Sequence, residues 1–351
     1  MLIPPPDPIG LPVSPAILVA LKTAGFFLHA LCMTLWLAGM PAAALLHRSR
    51  PRVAGRLFRA MPFAFAFGIN AGIVPLLFLQ TLHPELFFPA TILQAWPWLL
   101  VIPLVLLSYA AAYLAAFGKW PAAAGGMASA LLAWTGITFS AAMTLSASPD
   151  SWPAVLATQA DAGAVRGLYL HLDATVLLRF GMVAGLALGT VAAFLALDAQ
   201  GRNREEAVRA EARPLVPAFA LAGLALFGGC GLAYAGRPLA TLPTPWIVLS
   251  AAGMPLVALA AVAYAWKPSR GAALALGGLQ IAAIGLNAVS RQVEQGLAMA
   301  AASPAAPLVR NEWESLALFL AVFVASSLVL AWMGRVIARA WRAAPAPTPH
   351  G

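Results

Sequence analysis

Residues 169–213 read YLHLDATVLLRFGMVAGLALGTVAAFLALDAQGRNREEAVRAEAR. The stretch is almost wholly apolar up to Leu197 and then turns abruptly into a segment bearing Arg202, Arg204, Arg209 and Arg213. About 20 apolar residues are enough for a helix to cross the hydrocarbon core of a bilayer. Lys and Arg concentrate in the loops on the cytoplasmic side. The same unit, an apolar run and a cationic exit, recurs along the chain, and it decides the fold class: an all-α, polytopic membrane helix bundle.

Apolar runs of spanning length fall at about 16–46, 60–82, 90–117, 124–146, 167–197, 215–235, 246–266, 271–290 and 315–339, which makes nine transmembrane helices. In lipid a spanning segment must satisfy its own backbone hydrogen bonds, and the period-2 alternation of barrel strands is missing. Pro75, Pro103 and Pro255 are expected to kink their helices without breaking them. Cations follow every odd-numbered segment: Arg48, Arg50, Arg52, Arg56 and Arg59; Lys119; Arg202 to Arg213; Lys267 and Arg270; Arg335, Arg339 and Arg342. The alternate loops carry few, so the N-terminus is expected outside and the C-terminus in the cytoplasm. Residues 1–341 form one transmembrane domain, with its first four helices over 16–146 and the later helices over 167–339, and 342–351 read as a disordered tail.

The chain is 62% hydrophobic and 9% charged, and its net charge of +9 comes from arginines at membrane exits. That placement argues against nucleic acid as a partner, because no basic stripe interleaved with aromatics lies on a soluble domain. The start MLIPPPDPIGLPVSP lacks a cationic n-region, so a cleavable signal is not expected. The longest segments outside the spans are 147–166 and 198–214, too short for a soluble catalytic domain. Cys32 and Cys230 lie in apolar runs and read as packing residues; neither belongs to a CxxCH. His350 sits in the tail and is expected to be inert.

Chemistry has few carriers here. His29 lies in LHALCMTLWLAG and His171 in YLHLDATVLLRFG, both within apolar runs where an ionisable group is costly, and imidazole is a common haem ligand. Met254, about eight residues into the seventh run, reaches a depth like that of His171, so His/Met ligation is geometrically open. The plain alternatives are interhelical hydrogen bonding for each histidine and gap filling for the methionine. Asp173 and Arg179 could bracket a polar seam. Arg166, Arg237, Arg291 and Arg310 could clamp anionic propionates or simply snorkel. Trp96 and Trp98 read as interfacial belt residues, and His83 beside Glu85 as a loop histidine.

The order of these motifs resembles subunit I of the cytochrome bd quinol oxidases. The likeness runs through His29, the cationic turn, FGIN at 67–70, LHLDATVLLRFG, a methionine in the seventh helix and SRQ at 290–292. It implies a bacterial cytoplasmic membrane and a b haem whose axial ligands are His171 and Met254. It also implies a second haem ligand at His29, and for Arg291 the role of the arginine in a GRQPW motif that here reads SRQVE. Three departures stand against a complete oxygen reductase. Residues 91–117 carry no Asp or Glu, Ala288 replaces a ligating glutamate, and the loop GRPLATLPTP at 236–245 is short.

The resemblance therefore implies a b-haem membrane electron-transfer subunit. It would pass electrons from the quinone pool to other respiratory subunits or a c-type cytochrome. One alternative is a true quinol:oxygen oxidoreductase whose missing carboxylates come from another chain. The other is a cofactor-free transporter or assembly subunit, in which the histidines only bridge helices.

Overall fold

The computed structural model describes residues 10–161, 164–165, 170–201, 205–237, 242–303 and 307–343. The helices are α1 (Pro15–Leu46), α2 (Pro51–Leu82), α3 (Pro84–Gln94), α4 (Trp96–Leu99), α5 (Val101–Phe117), α6 (Pro121–Ser146), α7 (Trp152–Gln159), α8 (Ala174–Ala199), α9 (Glu206–Ala235), α10 (Thr244–Trp266), α11 (Arg270–Ala302) and α12 (Trp313–Ala343). A two-residue antiparallel pairing joins Ala160–Asp161 to Ala164–Val165. Among the described residues eight helices are long and apolar enough to cross a membrane: α1, α2, α6 and α8 to α12. The protein is a multi-pass helical membrane protein. Arg166, Arg202, Arg204, His350 and residues 238–241 of the short loop lie outside the described residues.

Successive helices run antiparallel, so the bundle has a near end, where α1 begins, and a far end, where the α1–α2 turn lies. The apolar run at 90–117 is not one helix. Ala95 interrupts it with φ +49, a conformation that costs a non-glycine residue strain. The chain then makes the single turn α4 before α5, whose 17 residues return it to the far end.

Other boundaries differ from the apolar runs for a common reason. Hydropathy marks where side chains are apolar, whereas a helix continues wherever its polar side chains find partners. Thus α2 begins at Pro51, not near 60, and α9 at Glu206, not near 215. At the far end Arg56 pairs with Asp198, and Glu211 accepts from the Val53 N–H at 3.1 Å and from Arg52 at 3.4 Å. These contacts tie the start of α2 to the α8–α9 turn. Conversely, α8 starts at Ala174, not at 167, because the Asp173 carboxylate accepts from the Val176 N–H at 2.8 Å and caps it. Pro41, Pro62, Pro75, Pro214, Pro217 and Pro255 all lie within continuous helices.

The core is built largely of small side chains, as expected where lipid removes the hydrophobic drive and packing must hold helices together. Ala187, Val191, Ala192 and Ala196 of α8 pack with Ala212, Val216 and Ala220 of α9 and with Val257 and Ala261 of α10. Gly185 lets the backbones of α8 and α9 meet: a Cβ there would stand 2.6 Å from the Phe227 nitrogen and 2.7 Å from the Gly223 carbonyl oxygen. By contrast, α12 touches the bundle mainly through Leu316, Phe319 and Phe323, with Phe319 edge-on to Phe78 at 5.0 Å.

Because the atoms facing Gly185 are a backbone nitrogen, a backbone oxygen and the Phe227 Cβ, none of which a rotamer change moves, the α8–α9 seam cannot absorb a larger side chain that way. Gly185→Val should lower stability by about 1–3 kcal/mol, read as a lower thermal-unfolding midpoint of the detergent-solubilised protein. An unchanged midpoint would show that the two helices do not approach so closely.

Candidate functional site

The expected haem ligands are dispersed. His29 sits on the α1–α2 seam, where its Nδ1 is 2.7 Å from the Gly68 carbonyl oxygen. Its ring lies 5.8 Å from Trp36, edge to face, and 6.5 Å from Phe26. The glycines of FGINAG make room for this arrangement: a Cβ at Gly72 would fall 2.6 Å from Nδ1, and one at Gly68 would fall 2.3 Å from the Trp36 ring. His171 precedes α8 and belongs to no helix. Met254 is fully buried in the main core, with its methyl end against Gly189.

These placements overturn the haem assignment. Gly189 is about 22 Å along α8 from Ala174 at 1.5 Å per residue, and His171 lies before that helix starts. His171 and Met254 therefore cannot bind opposite faces of one iron. His29 is on a different seam from both, and Arg291 faces a fourth place. Among the described residues no group of three or more His, Cys, Asp or Glu side chains could hold a metal ion. Metal binding at His29, His171 and Met254, a b-type haem and the oxidoreductase role built on it are accordingly withdrawn. A quinol site fares no better. The cavity at Arg291 holds only about 20 Å³, and the groove of about 350 Å³ at the α5–α6 turn is lined by Leu114, Gly118, Lys119, Trp120, Ala123, Ala124 and Met127. None of those side chains is a carboxylate or imidazole that could accept a quinol's protons. His29 instead fits the plain alternative, a hydrogen bond between helices.

What the fold does assemble is a buried ionic cluster at the near end. Arg179, just over a turn into α8, donates from Nε and Nη2 to the Tyr234 hydroxyl at 3.0 and 2.6 Å and from Nη1 to Thr144 Oγ1 at 3.3 Å. Its Nη2 also lies 3.2 Å from Glu294 Oε1. The Tyr234 hydroxyl in turn donates to the same Glu294 oxygen, and the guanidinium sits 5.1 Å from the centre of the Tyr234 ring. The cluster thus joins α8, α9 and α11 through one carboxylate and α6 through the arginine. Beside it, Met143, Ala147, Arg179, Arg291, Glu294, Gln295 and Ala298 enclose the 20 Å³ cavity, room for about one water molecule. Lys22 of α1, only 2% exposed, reaches the same group by donating to Gln295 Oε1 at 3.3 Å.

Polar contacts continue down α11. One turn below Glu294, the Ser290 and Ser250 hydroxyls are 2.5 Å apart. Further on, Gln280 Nε2 donates to Thr190 Oγ1 and to the Leu186 carbonyl, each at 2.9 Å, and Thr190 Oγ1 donates to Thr34 Oγ1 at 3.0 Å. The buried Gln280 Oε1 has no hydrogen-bond partner among the described residues. At the far end Gln200 donates to the Tyr264 hydroxyl at 3.1 Å. Glu294 to Gln280 covers about 21 Å of the helix axis, so polar groups occupy several depths of an otherwise apolar bundle.

The sequence reading missed the centre of this site. Arg179 and Arg291 were among its candidates; Glu294, Tyr234 and Lys22 were not. The eighth run was ended at 290, so the glutamate of SRQVE passed for a loop residue, although α11 continues to Ala302. Lys22, a cation inside the apolar run PAILVALKTAGFF, was the available signal. Asp173 caps α8, and among the described residues no hydrogen bond or ion pair joins it to Arg179. Cys32 and Cys230 do pack against glycines, at Gly68 and Gly181.

His83, in the break between α2 and α3, lies at the edge of this end. Burial, reinforced by the nearby Lys22 charge, pushes its imidazole down to about 4 from 6.5. As pH falls the unfolded chain takes up this proton first, so the histidine's contribution to stability is intact above about 6.5 and is lost progressively towards 4. His83→Gln should flatten that part of the pH–stability curve, measured by thermal unfolding between pH 4 and 7.5. The same slope in the variant would exclude His83 as its source.

Comparison with known proteins gives no assignment: no protein-family model matches the chain, and no curated protein matches it.

Proposed function

We propose that this chain is a cofactor-free membrane transport protein, whose working centre is the Arg179–Tyr234–Glu294 cluster. The observation that carries this reading is the ionic pair of Arg179 and Glu294, with side chains 14% and 10% exposed, held among four helices beside a water-sized cavity. Charges are expensive inside a bilayer and are found there chiefly where ions or protons must pass. A purely structural tie would be made as well by packed apolar residues. Serine, threonine and glutamine groups at successive depths support the same reading, since a permeating ion needs replacements for its hydration shell. Glu294 holds the centre together: its one oxygen receives both Arg179 and the Tyr234 hydroxyl, so any change in its partners frees a cation and a phenol at once.

In proteoliposomes the protein should carry a small-ion flux, followed with an internal pH dye and with chloride and potassium electrodes. Tyr234→Phe, which keeps the ring over Arg179 but removes the hydroxyl, should cut that flux about tenfold, the loss expected for one buried charge-assisted hydrogen bond of about 1.4 kcal/mol. Flux indistinguishable from that of empty liposomes for protons, cations and anions alike would end the transport reading.

The sidedness proposed with it follows from the positive-inside rule: the far end, with Arg48, Arg50, Lys119, Lys267 and Arg270, faces the cytoplasm of a bacterial cell. A cysteine introduced at position 48 should then react with a membrane-impermeant maleimide in inside-out vesicles and not in whole cells. The opposite pattern would invert the orientation.

A further inference from the structure

We infer that the near-end cavity is a binding site for a small monovalent inorganic anion of halide size, held between the guanidinium groups of Arg291 and Arg179. This deepens the transport reading by naming its ionic species, and it rests on that reading for the anion's movement but not for its binding.

The first argument is charge. Lys22, Arg179 and Arg291 bring three cations to this end of the bundle interior, and Glu294 brings one carboxylate. Arginine does not lose its proton in a protein. The carboxylate is already committed to Arg179 and to the Tyr234 hydroxyl. Asp173, which precedes α8, is engaged as its cap, and Asp198 of α8 is paired with Arg56 at the far end. Arg291 makes no hydrogen bond or ion pair among the described residues, and its electrostatic neighbours are Arg179, Glu294 and Tyr234. Two arginines therefore face one space with half the counter-charge they need, where solvent screening is weak.

The second argument is shape. The space they share holds about 20 Å³, enough for one water-sized species and too little for an organic acid or a phosphate ester. Its remaining walls are chemically suited to a soft, weakly hydrated anion. Ala147 and Ala298 are apolar, the Met143 sulfur is polarisable, and Gln295 Nε2 is already spent on that sulfur at 3.4 Å. Nothing in the wall beyond Glu294 itself repels negative charge. The anion would sit on the Arg291 side, away from the carboxylate, and would complete the neutralisation that Glu294 leaves half done.

The test uses the full chain in detergent, in sodium gluconate buffer to which sodium chloride or bromide is added at constant ionic strength. The wild type should show a saturable rise of the thermal midpoint with either halide, and Arg291→Gln should abolish it. In gluconate alone Arg291→Gln should be at least as stable as the wild type, because it removes the unmatched cation; an arginine with a merely structural role would leave the variant weaker. Should that variant fail to fold, an anomalous bromide peak in wild-type crystals decides the matter, and its position must lie between Arg291 and Arg179. No halide dependence in the wild type, a dependence that survives Arg291→Gln, or bromide located elsewhere would each overturn the inference. Halide binding without flux in proteoliposomes would keep the site and remove the transport reading. Flux of another ion with no halide effect would do the reverse.

Discussion

The carboxylate of Glu294 is the single acceptor on which the near end of this bundle depends. It receives the Tyr234 hydroxyl and lies 3.2 Å from Arg179, so α8, α9 and α11 converge on one oxygen, and Thr144 brings α6 to the same arginine. In a medium of low dielectric such an arrangement is high-stakes: it holds only while every member is satisfied, and losing one partner of a buried pair costs about 3–5 kcal/mol. The rest of the bundle is held by weaker and more numerous contacts between small side chains.

That contrast organises the molecule along its length. The middle is alanine- and glycine-rich, with backbone-to-backbone approach at Gly185 and Gly223, and its polar contacts include Thr34–Thr190–Gln280. The far end is stitched by ion pairs, Arg56 with Asp198 and Arg52 with Glu211, in which the arginine side chains stay 24% and 53% exposed while the carboxylates are 11% and 12% exposed. The near end carries its charges inward. Arginine thus plays two parts in one chain: at the far end it ties turns together through ion pairs, and at Arg179 and Arg291 it carries charge into the bundle beside Glu294.

His29 illustrates how an intramembrane histidine can be satisfied without a metal. The Gly68 carbonyl oxygen accepts its Nδ1 proton, Gly72 admits the ring, Gly68 makes room for Trp36, and Trp36 and Phe26 flank the imidazole. The FGIN motif, which in the resemblance marked a haem-bearing family, has here a packing explanation that involves no haem. Met254 is likewise a core residue against Gly189, as adaptable thioether side chains often are.

The sequence by itself determined the class and the course of the chain. Apolar runs of spanning length and cationic exits are local properties, and α1, α6, α10 and α12 lie within a few residues of where hydropathy puts them. It also made Arg179 a candidate for a polar seam and Arg291 one of four arginines able to clamp an anion or snorkel, because charge within or beside an apolar run is visible without any contact. Only the tertiary structure decided their partner. Glu294 lies past the end of an apolar run and 115 positions from Arg179, and whether such a residue hangs in water or turns inward depends on how far α11 continues and which helix it meets. The same holds for the haem ligands in reverse: His171 and Met254 share a depth on paper, but the Asp173 cap starts α8 late and moves His171 off the helix. Spacing along a chain sets depth within one helix; convergence between helices is a property of their packing, and no local signal carries it.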